Sequence, residues 1–197
     1  MLPLILDVTQ LSIFVIGGGA QAQRRLRLLD EAMAQNVTVF CAGEAPEMQA
    51  LAGQRFQNRW PDDAEIAAAG LVFAANIDDT HAAQITETAR AHKTLINVED
   101  VKPQCDFHVP AIVRRGDMLL TASTGGQSPA LARRLKDFLT QRFPENWAVW
   151  TAEIAQARES WRAQGLGFSE VTEKSNALID EKGWLECQCP LTQNKSK

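Results

Sequence analysis

The stretch LSIFVIGGGAQAQRRLRLL, residues 11–29, limits what this chain can fold into more than any other. A short apolar run reads as a buried strand, three glycines break it, and AQAQRRLRLLDEAMAQ then shows helical spacing with Leu26 and Leu29 facing inward. VTVFCA follows as a second strand, so the chain opens on a βαβ unit. Gly17-x-Gly19-x-x-Ala22 fits the dinucleotide-binding fingerprint, with alanine in the third place. The first glycine makes a tight turn, the second lets backbone approach a pyrophosphate, and the helix N-terminus offers N–H groups and partial positive charge to the anion. After the second strand the chain reads CAGEAP. No acid stands where a ribose hydroxyl is usually held unless Glu44 reaches back, and no Arg is there for a 2′-phosphate, so the motif leaves NAD and NADP both open.

The alternation continues. APEMQALAG reads as helix, QRFQNRW as an exposed strand, PDDAEIAAAG as a helix start, LVFAA as a buried strand, DDTHAAQITETARAH as helix and TLINV as strand. Strands alternating with helices imply an α/β protein with a parallel sheet wound on both faces. Near residue 100 the pattern changes. FHVPAIVRRGDMLLTAS reads as strands around the turn Arg115-Gly116-Asp117, and SPALARRLKDFLTQRF as a helix with Ser128 as N-cap and Pro129 in its first position. Beyond Pro144, two helical stretches carry Trp147, Trp150, Trp161 and Trp184, expected to fill a core or a subunit interface.

With 197 residues, 45% of them hydrophobic, the chain can bury one good core and a small second domain. A net charge of −4 argues against a general nucleic-acid binder. The start MLPLILDVTQLSIFVI lacks a basic leader and is interrupted by Asp7, Thr9 and Gln10, so neither a signal peptide nor a membrane span is expected, and the cytoplasm is the expected location. Cys41, Cys105, Cys187 and Cys189 make no disulfide framework. Cys187 and Cys189 read as an incidental pair in a polar tail, because two ligands close no metal site.

Two further constellations carry chemistry. In ASTGGQSPALARRLK, twin glycines before a capped helix can cradle an anion, with Arg133, Arg134 and Lys136 on the following turns. From Lys102 to Arg142 seven Lys or Arg (102, 114, 115, 133, 134, 136, 142) stand against three Asp (106, 117, 137), a local excess that suits a polyanionic ligand or a solvated basic face. In NVEDVKPQCDF, Asp100 follows an apolar strand at the carboxyl end of the expected sheet, where it can take the proton released when a substrate loses hydride, or merely cap a loop. Of the three histidines only His108 lies near these motifs, and it reads as a packing residue.

VIGGGAQAQRR, VTVF, LVFAANIDD and INVEDVKPQCDFHVPAIVRRGDMLLTASTGGQSPALARRLK together resemble precorrin-2 dehydrogenase, the NAD-dependent enzyme of sirohaem synthesis, in unbroken order over about residues 2–145. The resemblance implies a Rossmann-type parallel sheet (1–105), a small α+β dimerisation and substrate region (106–145) and a C-terminal helical domain with a polar tail (146–197). It implies NAD as cofactor, a homodimer, and oxidation of the polycarboxylate precorrin-2 to sirohydrochlorin. The catalytic aspartate falls on Asp100. Cofactor contacts fall on Gly17, Gly18, Gly19, Ala20 and Gln21, on Ala42 and Gly43, and on Ala75, Asn76 and Asp78. Substrate contacts fall on Ser123, Thr124, Gly125, Gly126, Ser128, Arg133 and Arg134, and the serine phosphorylated in some members corresponds to Ser123 or Thr124. Some members also act as a ferrochelatase on sirohydrochlorin, so a bifunctional or chelatase-only enzyme is an alternative. No compact metal-ligand cluster is written in the chain. A non-catalytic module that binds NAD or a tetrapyrrole is the other alternative, which the presence of Asp100 disfavours.

Overall fold

The computed structural model describes residues 1–185. Cys187 and Cys189 lie outside the described residues. Five short strands, β1 (Ser12–Ile16), β2 (Asn36–Phe40), β3 (Phe56–Gln57), β4 (Leu71–Ala74) and β5 (Leu95–Val98), form one parallel sheet in the order β3-β2-β1-β4-β5. Central β1 pairs on both sides, Ile13 with Val37 and Leu71, Ile16 with Phe40 and Ala74. Strands covered on both faces need continuous apolar runs, and LVFA of β4 is buried throughout.

Helices α1 (Gly19–Glu31) and α2 (Pro46–Ala52) cover one face, where Ala22, Leu26, Leu29 and Met48 meet Ile13, Val15 and Val39. Helices α3 (Asp63–Ala68) and α4 (Asp79–Ala91) cover the other, where Ile66, Ala82, Ile85 and Ala89 meet Phe14, Ile16, Phe40 and Ile96. The α/β expectation holds, with the inward positions of Leu26 and Leu29 as read.

Local endings differ from the sequence reading for identifiable reasons. The first helix stops at Glu31 rather than running to residue 35, because Met33 takes a left-handed conformation (φ 61°) and the Ala34 N–H closes on the Leu29 carbonyl at 3.0 Å. Lys93 (φ 61°) and the Thr94 N–H to Ala89 carbonyl bond (2.9 Å) end α4 in the same way. QRFQNRW contributes only Phe56 and Gln57 to the sheet, since Gly53–Arg55 coil into a 3-10 turn before it.

The chain divides into two compact units after Val109. In the second, β6 (Ala111–Arg115) and β7 (Met118–Ala122) form an antiparallel hairpin whose two-residue turn begins with Gly116 at positive φ. Helix α5 (Pro129–Arg142) packs on the hairpin, and α6 (Trp147–Ala163) pairs with α7 (Phe168–Lys182). Ser128 caps α5 as read, its Oγ accepting from Leu131 N–H at 3.2 Å with Pro129 next. The half-buried rings of Trp147, Trp150 and Trp184 follow one another, Trp147 edge-on to Trp150 and Trp150 stacked on Trp184. No helix of the described residues is long and apolar enough to cross a membrane.

Two basic-region readings need correction. Arg115 is buried at 7% exposure, donating from Nε to the Phe143 carbonyl (2.7 Å) and from Nη2 to that of Thr140 (3.3 Å). Its charge closes the C-terminal end of α5, where carbonyls lack intrahelical partners, and so leaves the pool available to an anion. His108 is exposed, so it is not the packing residue expected.

Candidate dinucleotide site

The carboxyl ends of β1, β2 and β4 border a cleft of about 470 Å³. It lies where the strand order switches direction around β1, the position at which doubly wound sheets take ligands. Gly17, Gly18 and Gly19 form one wall. Gly17 donates its N–H to the Phe40 carbonyl (2.8 Å) at φ +112°, and a Cβ there would lie 2.0 Å from the Ala75 carbonyl oxygen. A Cβ on Gly19 (φ +68°) would reach 2.9 Å from Asn76 Nδ2, and one on Gly18 would press on Cys41 Sγ at 3.1 Å. The glycines therefore let the loop after β4 close against the turn. Helix α1 starts at Gly19, so its unpaired first-turn N–H groups stand at the cleft, ready for an anion. Ala22, fully buried, meets the third requirement of the fingerprint, close packing of helix on sheet.

The loop after β4 supplies Asn76, Ile77 and Asp78. Asn76 adopts φ 54°, and Asp78 caps α4 by accepting from the N–H groups of Thr80 (3.1 Å) and His81 (3.0 Å). Its second oxygen meets His81 Nδ1 at 2.6 Å. The backbone N–H of His81, then its ring, hold the Asp78 carboxyl below the usual range. Opposite, the segment after β2 lines the cleft with Cys41, Ala42 and Glu44 through Met48. Burial pushes the Cys41 thiol up, keeping it neutral.

Of the expected cofactor residues, Gly17, Gly18, Gly19, Ala42, Asn76 and Asp78 line this cleft. Ala20 and Gln21 sit in the first turn of α1 outside the lining, and Ala75 is buried behind the turn. Gly43 is exposed, its N–H donated to Asn58 Oδ1 (3.1 Å). Trp60, Met48 and Glu47 also line the cleft and were missed, because the fingerprint speaks only for the turn and its own helix. Glu47 accepts from Gln23 Nε2 at 3.1 Å, a contact between α1 and α2 that no local pattern announces.

Asp100 follows β5 and takes a left-handed conformation (φ 62°) that leaves it exposed. Its neighbour is tied down. Glu99 donates its N–H to the Ala74 carbonyl (2.8 Å), and its carboxylate pairs with Arg25 of α1, whose guanidinium lies over the Phe73 ring. Two strand spacings separate β5 from β1, on the order of 10 Å.

The second unit holds the other expected residues. Thr124 and Ser128 interlock, the Thr124 hydroxyl donating to the Ser128 carbonyl and accepting from its N–H, both at 3.1 Å. Gly125 N–H donates to Ser123 Oγ (3.3 Å), and both Gly125 (φ 61°) and Gly126 (φ 78°) need positive φ. Arg133 and Arg134 are exposed on α5.

A family model described as "Putative NAD(P)-binding" matches residues 4–111. The chain belongs to this NAD(P)-binding family. "Siroheme synthase 1" of Pectobacterium atrosepticum is 35% identical over 82% of this chain and 33% of its own length. "Siroheme synthase 1" of Serratia proteamaculans is 29% identical over 94% of this chain and 37% of its own. The kinship expected from the motifs is thus shown, and the chain spans about a third of the length of these curated relatives. A solved structure titled "SirC, precorrin-2 dehydrogenase" superposes with a TM-score of 0.74 over 94% of this chain and 93% of that one, at 23% identity, which shows the fold.

Proposed function

We propose that this chain is an NAD-dependent dehydrogenase that oxidises precorrin-2 to sirohydrochlorin in sirohaem synthesis. The observation that carries the reading is one sheet presenting a glycine cradle at the end of β1 and a carboxylate, Asp100, just past the end of β5. Similarity to the siroheme synthases and the fold shared with the precorrin-2 dehydrogenase structure support it. The cradle suits a dinucleotide, since the glycine turn and the first-turn N–H groups of α1 border the cleft with no side chain of their own in the way. Bound there, NAD⁺ supplies a hydride acceptor.

The chain's own residues do the rest. Gly17 to Gly19 and the first turn of α1 hold the pyrophosphate; Asn76 and Asp78 border the cleft beside them. The Arg25–Glu99 pair fixes the end of β5 so that Asp100 can take the proton that leaves as the macrocycle gives up hydride. The second unit, taken by itself, offers the interlocked Thr124–Ser128 loop and the exposed Arg133 and Arg134 as groups suited to carboxylates. We also assign NAD over NADP. Glu44, Glu47 and Asp78 line the cleft, and among the described residues lining it none is Lys or Arg, so every charged side chain of the lining would repel a 2′-phosphate. NADP⁺ is expected to bind at least about tenfold more weakly than NAD⁺ in a calorimetric titration.

The test mixes protein, enzymatically made precorrin-2 and NAD⁺ without oxygen, and follows NADH absorbance beside the sirohydrochlorin spectrum. Wild type is expected to turn over, and Asp100→Asn to lose about 10²–10⁴-fold in kcat while binding NAD⁺ normally. Tight binding of both ligands with no turnover overturns the dehydrogenase. Metal insertion on adding Fe²⁺ would then identify a chelatase, and none a sensor.

A further inference from the structure

Trp60 and His81 form a stacked pair at the edge of the cleft, ring centroids 4.2 Å apart and planes 17° from parallel. Trp60 comes from the connection between β3 and α3, and His81 from the first turn of α4. We propose that Trp60 is the aromatic wall against which the adenine ring of the dinucleotide packs, with His81 as the brace behind it. The proposal rests on the dinucleotide reading of the cleft and extends it to a residue outside the fingerprint.

Position comes first. The pyrophosphate is held at the glycine turn, and a hydride acceptor must point toward β5 and Asp100. The adenosine half then runs the other way, toward the β2 and β3 side of β1, where Ala45, Met48 and Trp60 line the cleft. Among the described residues lining the cleft, Trp60 is the only aromatic one. A planar base with two π-faces gains most from such a surface.

The second argument is rigidity. Arg59 is clamped between Glu65 (Nη1 at 2.7 Å, Nη2 at 2.6 Å), the Trp60 carbonyl (3.0 Å) and the face of Phe40. Asp62 and Glu65 form a reciprocal capping box at the start of α3. The His81 ring is oriented by Asp78, itself held by two backbone N–H groups. Trp60 is thus fixed on both sides before any ligand arrives, which spares the ordering cost on binding. Trp60 also lines a second cavity of about 240 Å³ on the α3–α4 side, which His81 borders as well.

The experiment titrates wild type, Trp60→Ala and Trp60→Phe with ADP-ribose and with NAD⁺ by calorimetry, and records tryptophan fluorescence. Trp60→Ala is expected to weaken both ligands about tenfold or more, and Trp60→Phe to restore affinity to within about threefold. Ligand quenching of fluorescence should shrink in Trp60→Phe, although its affinity is kept. A folded Trp60→Ala that binds ADP-ribose as wild type does overturns the proposal. Should Trp60→Ala fail to fold, quenching unchanged in Trp60→Phe overturns it equally. Wild type that binds neither ligand overturns the dinucleotide reading itself, a result distinct from a variant effect.

Discussion

At the residue scale, the glycines of the turn are constrained by space as well as by conformation. Gly17 carries both constraints, with φ +112° and a backbone oxygen where a side chain would begin. Gly17→Ala must push the loop after β4 away from the turn. It is expected to destabilise the fold by about 1–3 kcal/mol and to abolish NAD⁺ binding, read by denaturant unfolding and titration. Gly43, also at positive φ (+96°), has open space where a Cβ would stand, with nothing within 4 Å, so strain there comes from the backbone alone. The fingerprint made Gly17, Gly19 and Ala22 legible from spacing. It could not announce Trp60, because that side chain enters the cleft from a different connection, and only the stack on His81 and the knot at Arg59 aim it.

At the element scale, the short helix α3 shows how a weak segment is held. Six residues of DAEIAA make a marginal helix, and the capping box compensates by satisfying first-turn N–H groups. The Arg59 side chain, then the Asp62 N–H, lower the Glu65 carboxyl to about 2 from an ordinary 4.5. A depressed acid stabilises the fold above its unfolded value and loses that contribution as pH falls through its folded value. The stability difference between wild type and Glu65→Gln, measured by denaturant unfolding, is therefore expected to be full above pH 4.5 and to shrink toward pH 2. Solvent screening keeps it modest, because Arg59 and Glu65 are partly exposed. Helix α5 presents the opposite problem at its other end. Thr140 and Phe143 carbonyls are satisfied by Arg115 from the hairpin, a use of charge that its place in a basic run concealed.

At the scale of the whole molecule, the second unit leaves Leu131, Leu135 and Phe138 exposed along one face of α5 at helical spacing. We propose that a second copy of the chain covers this face, in line with the homodimer expected from the resemblance. Phe138→Asp is expected to shift the protein to monomer in sedimentation, with the first unit still folded and binding NAD⁺. Alternation of apolar strands with amphipathic helices determined the doubly wound sheet from the sequence alone, because only a parallel sheet covered on both faces buries runs such as LVFA and FVI. The glycine spacing likewise determined where the strand-to-helix turn falls, since Gly17 and Gly19 take the positive φ that residues with a Cβ rarely adopt. Tertiary structure alone decided which charges remain available, turning Arg115 into a helix clamp and Arg25 into the tether of Glu99. It also decided that Trp60, Glu44 and Glu47 share a cleft with the glycine turn. Those outcomes depend on contacts between segments far apart in the chain, and local spacing carries no information about which distant partner a side chain will meet.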